Sequence, residues 1–354
     1  MIAINGRFLT QGLTGVQRYA REMTRALDLL VAAGAAPPMR LIAPLGAQGL
    51  EEFEHLSPRI AGARGGHVWE QLDLPRAAGG DFLLNLGNTA PIIQGSHQAV
   101  VIHDAGVFDT PESYSWKFRT WYRGLQRALV FRGAQFLSVS DFSAGRIAAN
   151  LGLEAQRIGV TLEGGEHILR EAADSTIITR HGLTHGSYAL VIGTGAAHKN
   201  LTALHHAIGA LGARGLILAV AGAKDAAVFR QDGARPAAHL KPLGRVSDAE
   251  LRALYEGALC LIFPSRYEGF GLPPVEAMWC GCPVIASRAG AVPEVCGDAA
   301  LWFDAARPES LGEAVAQLAD DSAFRAALIA RGRERTALFS WDAAARRLLG
   351  FLPR

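Results

Sequence analysis

The stretch that most constrains this chain is residues 264–295, PSRYEGFGLPPVEAMWCGCPVIASRAGAVPEV. An apolar run at 258–263 ends in a Gly-rich turn, which leads into a short Ala/Met/Trp segment and a second apolar run at 283–287. This pattern predicts strand, loop, helix and strand, the repeating unit of a parallel sheet. Gly269 and Gly271 let the backbone turn sharply and approach a ligand, and Pro273 or Pro274 suits the first helical turn. A helix N-terminus behind a Gly-rich loop is an anion site. Proline has no N–H, so the donors are sought at Phe270, Gly271 and Leu272, with Val275 as a further candidate. Two carboxylates bracket the turn, Glu268 before it and Glu276 inside the helix. A carboxylate beside a phosphate makes chemical sense where it accepts hydrogen bonds from sugar hydroxyls, as acidic residues do for ribose in other nucleotide-binding folds. The pattern points to a nucleotide sugar.

With 354 residues, 49% hydrophobic and 19% charged, the chain exceeds what one core usually serves and is expected to form two globular domains. A net charge of +2 gives no reason to expect nucleic acid binding from bulk charge. The start, MIAINGRFLT, has no charged leader before a long apolar core, and no apolar run approaches a membrane span, so a cytoplasmic protein is expected. Cys260, Cys280, Cys282 and Cys296 lack CxxC spacing and are expected to be buried free thiols rather than zinc ligands.

Further strands are predicted at 2–5, 40–43, 82–84, 99–103, 135–139, 157–162, 188–194, 215–221 and 298–304. Gly15 stands at the entrance of a helix whose apolar face carries Val16, Tyr19, Met23, Leu27 and Leu30, where an exposed amide can meet a phosphate. His103 and Asp104 follow the run AVVI at a strand's carboxyl end, where open α/β sheets bind ligands. Residues 163–186 read as an interdomain linker and the approach to a second domain. The sequence GTGAAHKN, 193–200, is an incomplete G-x-G-x-x-G, and Lys199 within it offers a fixed cation suited to a diphosphate. Ser247 and Glu250 form a predicted capping box. Residues 113–132 have Phe118, Tyr122, Leu125 and Leu129 on one helical face and Arg119, Arg123 and Arg127 on another. Two readings stand for this helix. It is either an ordinary domain helix, or one that lies on an anionic membrane surface.

The stretch from Glu268 to Glu276 resembles the E-x7-E motif of retaining glycosyltransferases of family 4. GLTGVQRYARE, VSDFS and the His-Lys-Asn of 198–200 are similar to other parts of that family, so the resemblance runs over nearly the whole chain. It implies the α/β GT-B fold, two Rossmann-like domains with parallel sheets facing across a cleft. The expected divisions are 1–165 for the acceptor-side domain, 166–335 for the nucleotide-sugar domain, and 336–354 for a helix returning to the first. In the family the first Glu lies at the donor sugar, the glycine-loop amides hold sugar and diphosphate, and the second Glu binds the ribose. These roles fall on Glu268, on Gly269, Phe270, Gly271 and Leu272, and on Glu276. The resemblance also implies His103 near the donor sugar, Lys199 and Gly15 at the diphosphate, and Arg245 and Val246 meeting the base through main-chain atoms. Glu268, His103 and Lys199 are the expected catalytic residues. Where the family usually has Arg-Lys-Asn this chain has His198, which lowers the fixed positive charge.

The implied activity is transfer of a hexose from a nucleoside diphosphate sugar, with GDP-mannose favoured, to a saccharide or lipid-linked saccharide acceptor, as in bacterial polysaccharide synthesis. No cofactor is expected, and no metal, because the chain has no Asp-x-Asp triplet. A nucleotide-sugar epimerase of the same fold and a dinucleotide-dependent oxidoreductase are the alternatives. Peripheral contact with the inner face of a membrane through 113–132 follows from the second reading of that helix.

Overall fold

The computed structural model describes residues 1–193, 197–200, 203–222 and 239–353. The chain divides into two compact units, Met1–Gly164 with Trp341–Arg354, and Gly165–Ser340. Each is built on a parallel sheet.

In the first unit the strands are β1 (Ile2–Asn5), β2 (Met39–Ala43), β3 (Arg59–Ile60), β4 (Phe82–Asn85), β5 (Gln98–Ile102), β6 (Gln135–Ser138) and β7 (Gly159–Val160). Their order is β3-β2-β1-β4-β5-β6-β7. Ile2 aligns with Met39 on one side and Phe82 on the other. Sheets covered on both faces need strands that are apolar on both sides, and IAIN, FLLN and QAVVI are buried throughout. The Gly15–Ala32 helix buries Tyr19, Met23, Leu27 and Leu30 against this sheet. The terminal Trp341–Leu349 helix packs on it, with the Trp341 and Tyr19 ring centroids 5.8 Å apart.

In the second unit the strands are β8 (Tyr188–Ile192), β9 (Ile217–Ala221), β10 (Leu240–Gly244), β11 (Cys260–Phe263), β12 (Val284–Ser287) and β13 (Ala300–Phe303), in the order β10-β9-β8-β11-β12-β13. The order reverses between β8 and β11, and a crevice for ligands opens at such a switch point. The first unit has the same kind of switch between β1 and β4.

Several sequence expectations need correction. Residues 163–186 are not a free linker, because Glu166–Leu169 and Thr176–Arg180 are helical and bury Ile168, Ile177 and Ile178. The strand expected at 157–162 shortens to Gly159–Val160. The β10 strand escaped the sequence reading because Pro242 interrupts it. It is an edge strand, and its register with β9 shifts between Pro242 and Gly244. The Gly66–Ala78 helix was hidden by flanking glycines and the internal Pro75. All four cysteines are free, but Cys280 is only half-buried. Burial pushes the Cys260 and Cys296 thiols up to about 12, so both stay protonated at neutral pH.

Candidate active site

The two loops at the β8/β11 switch point are laced together. The Arg266 amide donates to His198 O at 2.7 Å, and Asn200 Nδ2 donates to Pro264 O at 3.1 Å. Asn200 takes a positive φ of 51°, a conformation that asparagine tolerates better than most residues. These bonds bring Lys199 to the turn after β11, where its Nζ lies 2.7 Å from Glu268 Oε1. The two side chains are 23% and 14% exposed, so this ion pair is only partly open to water. Of the incomplete glycine motif, Thr194, Gly195 and Ala196 lie outside the described residues.

Glu268 is held from behind by a residue that sequence reasoning missed. Gly290 has φ +59°, and a Cβ there would lie 2.3 Å from Glu268 O. The next amide, that of Ala291, donates to the same oxygen at 3.1 Å. Only glycine permits so close an approach without moving the Glu268 backbone. The RAG triplet at 288–290 was the available signal, but a loop glycine on its own does not name its partner.

Gly271, with φ +118°, is the N-cap of the Leu272–Trp279 helix, and Pro273 and Pro274 both fall in its first turn. The first amides of this helix have no partner within the helix. Phe270 is buried, with its ring edge-on to Phe339 at 5.7 Å. Glu276, one turn further in, is buried at 6% exposure, and both its oxygens are engaged. His167 Nε2 lies 3.0 Å from Oε1, and the Tyr255 hydroxyl donates to Oε2 at 2.8 Å. Burial, reinforced by the Glu276 charge, raises the Tyr255 hydroxyl well above its ordinary range, so it remains a donor. His167 and Tyr255 were not foreseen. His167 sits in the segment taken for linker, and Gly165 lets that segment lie against the helix, since a Cβ there would lie 2.6 Å from Val275 Cγ1.

Val246 is half-buried between β10 and the Asp248–Gly257 helix, and Arg245 is exposed. The Ser247–Glu250 capping box is present in both directions. Lys199, Glu268, residues 269–272, Glu276 and Val246 therefore all follow the carboxyl ends of strands of one sheet.

Gly15 and His103 belong to the first unit. Gly15 opens its helix, and Thr14 at the N-cap makes no side-chain bond to the helix amides. His103 follows β5 and is buried. Its Nε2 lies 2.9 Å from Leu86 O, a pure acceptor, so Nε2 carries a proton, and Nδ1 faces Glu163 Oε1 at 3.8 Å. The Tyr19 ring meets His103 edge-on at 4.7 Å. Asp104 accepts from the Gly106 amide at 2.6 Å and so shapes the turn. At the β1/β4 switch point a buried cluster appeared that the sequence did not reveal. Glu70 accepts from Asn5, Arg7 and Thr89, each within 3.1 Å.

A family model described as "Glycosyl transferases group 1" matches residues 177–335, most of the second unit. The O-antigen chain mannosyltransferase B of Escherichia coli is 34% identical over 253 residues, covering 68% of this chain and 66% of that protein. The chain belongs to the group 1 glycosyl transferases. The O-antigen chain mannosyltransferase RfbU of Salmonella typhimurium is 29% identical over 221 residues, 61% of this chain and 59% of that one. The matches thus span about two thirds or less of these relatives. Among solved structures, Anabaena Alr3699/HepE in complex with UDP and glucose has a TM-score of 0.72 at 18% identity, covering 99% of both chains. WaaG, a glycosyltransferase involved in lipopolysaccharide biosynthesis, has 0.71 at 14%, covering 99% and 98%. These likenesses establish the GT-B architecture of two Rossmann-like domains. In this chain the loops at the β8/β11 switch point carry Lys199 and Glu268, and the helix that follows carries Glu276.

Proposed function

We propose that the chain transfers a hexose from a nucleoside diphosphate sugar to a hydroxyl of a saccharide or lipid-linked saccharide, with retention of anomeric configuration and with GDP-mannose as the favoured donor. The observation that carries this reading is the Lys199–Glu268 ion pair at the switch point, directly before the Gly271-capped helix that holds Glu276. A leaving diphosphate gains negative charge as the glycosidic bond breaks, and fixed donors and cations there lower the barrier. Lys199 and the amides of Gly271 and Leu272 supply that charge control. Glu268, with Gly269 and Phe270 shaping its turn, orients the hexose. Glu276, aligned by His167 and Tyr255, accepts from the ribose, and the main chain at Arg245 and Val246 meets the base. His103 contacts the donor sugar, and the Gly15 amide contacts the diphosphate. The mannosyltransferase relatives support mannose as the sugar. The epimerase and oxidoreductase readings have no observation of their own in their favour.

Lys199 takes the part a divalent cation plays in other transferases, so the reaction is proposed to need no metal and no cofactor. The test combines two measurements. Melting temperatures with GDP, UDP and dTDP identify the base, since a tight ligand stabilises the folded state. Turnover of the matching sugar nucleotide in excess chelator, with the product anomer read by NMR, then tests metal independence and retention. Loss of all turnover on chelation, or an inverted product, would overturn the corresponding part of the reading.

A further inference from the structure

A second crevice opens in the Gly165–Ser340 unit, at the carboxyl ends of β11, β12 and β13. Its volume is about 710 Å³, within the range of about 300–1,000 Å³ typical of small-molecule sites. Each strand is followed by one arginine of its wall, Arg266 after β11, Arg288 after β12 and Arg307 after β13. Neighbouring strands lie about 4.8 Å apart, so three adjacent strand ends span only about 10 Å and long side chains rooted there can meet on one group. Each arginine is anchored. The Arg266 amide donates to His198 O at 2.7 Å, and the carbonyl before it, that of Ser265, accepts from the Ser287 hydroxyl. Arg288 lies over the Trp302 ring, 4.6 Å from its centroid. Arg307 O accepts from the Ser310 hydroxyl at 2.6 Å, and the same hydroxyl oxygen accepts from the Asp304 amide at 2.9 Å.

The charges narrow the occupant. Among the described residues no carboxylate pairs with Arg266 or Arg288. Arg307 meets Glu313 at 3.8 Å with the two side chains 60% and 69% exposed, a pair that water screens and a ligand can open. The other acid of the wall, Asp304, accepts from the Ala306 amide at 2.9 Å and closes its own turn. A single guanidinium fork already satisfies a carboxylate, whereas a phosphate monoester has three free oxygens and nearly two charges to share among three forks. Gln317 offers an amide to hydroxyl groups and the half-buried Trp302 an apolar edge, the mixture that a sugar ring meets. Lys199 and Glu268 do not line this crevice, yet its wall reaches them. Gly290, in the lining, is the residue whose missing Cβ admits Glu268 O, and the Ala291 amide donates to that oxygen.

We propose that this crevice binds the phosphate monoester of a small sugar, and that the bound phosphate, bridging Arg266 and Arg288, braces the turn that carries Glu268. The site is separate from the one at Lys199, and its test needs no turnover. The full chain is titrated calorimetrically with mannose 6-phosphate, mannose and mannuronate at low and high salt. Mannose 6-phosphate should bind and weaken with salt, mannuronate should bind at least about tenfold more weakly, and mannose should not bind. Arg288→Gln and Arg307→Gln should each weaken the phosphate ester roughly tenfold and together abolish its binding, with the parent's melting temperature kept. Lys199→Ala should bind it as the parent does. Hydrogen exchange reads the bracing, since saturating mannose 6-phosphate should slow exchange of the Arg266 and Ala291 amides in the parent and leave it unchanged in the double arginine variant. No binding of the ester, equal binding of mannuronate, binding that survives the double substitution, or binding lost in Lys199→Ala would overturn the site. Binding without slower exchange at Arg266 and Ala291 would overturn the bracing.

Discussion

In the free protein Lys199 is held by Glu268, yet the proposed reaction needs Lys199 at the diphosphate. Replacing Glu268 by Gln keeps the side-chain shape and removes the competing charge. The pair lies 2.7 Å apart with 23% and 14% exposure, between surface and interior. Exposed pairs contribute about 0–1 kcal/mol, and breaking a fully buried pair costs about 3–5 kcal/mol. A working value for this site is about 1–2 kcal/mol, so Glu268→Gln should tighten binding of the nucleoside diphosphate roughly fivefold to thirtyfold while turnover falls. Lys199→Ala removes a charge-assisted hydrogen bond and should weaken the same ligand by about 1.5–3 kcal/mol, roughly tenfold to 150-fold. In the double variant the gain from Glu268→Gln should vanish, because there is no lysine left to release. The assay is calorimetric titration of the four proteins with GDP, or with whichever diphosphate most raises the melting temperature. Two results would refute the reasoning. One is tenfold weaker binding to Glu268→Gln. The other is the same tightening whether or not Lys199 is present, since the effect would then not pass through the lysine.

Three further outcomes are expected. Glu276→Ala should weaken nucleotide binding by about 1.5–3 kcal/mol and lower the melting temperature, because His167 and Tyr255 lose their acceptor. A lower melting temperature with unchanged nucleotide affinity would leave Glu276 a structural residue only. Gly290→Ala should cut kcat at least about tenfold with little change in nucleotide affinity, because the new Cβ displaces the Glu268 backbone; parent-like kcat would show that the position tolerates a side chain. Burial raises the Glu70 carboxyl, but hydrogen bonds from His67, Asn5 and Thr89 and the Arg7 charge outweigh it and hold the group below the usual range. Its stabilisation is therefore complete above the unfolded value of about 4.3 and is lost as pH falls through the lower folded value. Glu70→Gln should lower the melting temperature at neutral pH and flatten its fall in acid, and an unchanged acid limb would exclude Glu70 as the group responsible.

What the chain states locally, its sequence by itself determined. The continuous apolar runs become buried parallel strands, Gly271 and the two prolines open the Leu272–Trp279 helix, and Ser247 with Glu250 caps the next helix upstream. Each depends on neighbours a few residues apart, where backbone geometry and periodicity act directly. The same stretches carry the family resemblance and with it Glu268, Glu276 and Lys199. Other features depend on strand order, which no local pattern encodes. Lys199 meets Glu268 across 69 residues, and His167 meets Glu276 across 109, only because β8 lies beside β11 and residues 165–169 fold under the helix. Glu70 is polar in sequence and buried in fact, since Asn5, Arg7 and Thr89 converge on it from separate segments. On the Trp116–Phe131 helix, periodicity shows the face with Leu125 and Leu129. That Trp116, Trp121 and Phe131 remain in water beside Val68, Leu72 and Ile93 was decided by packing, because exposure belongs to the assembled surface and not to any one segment.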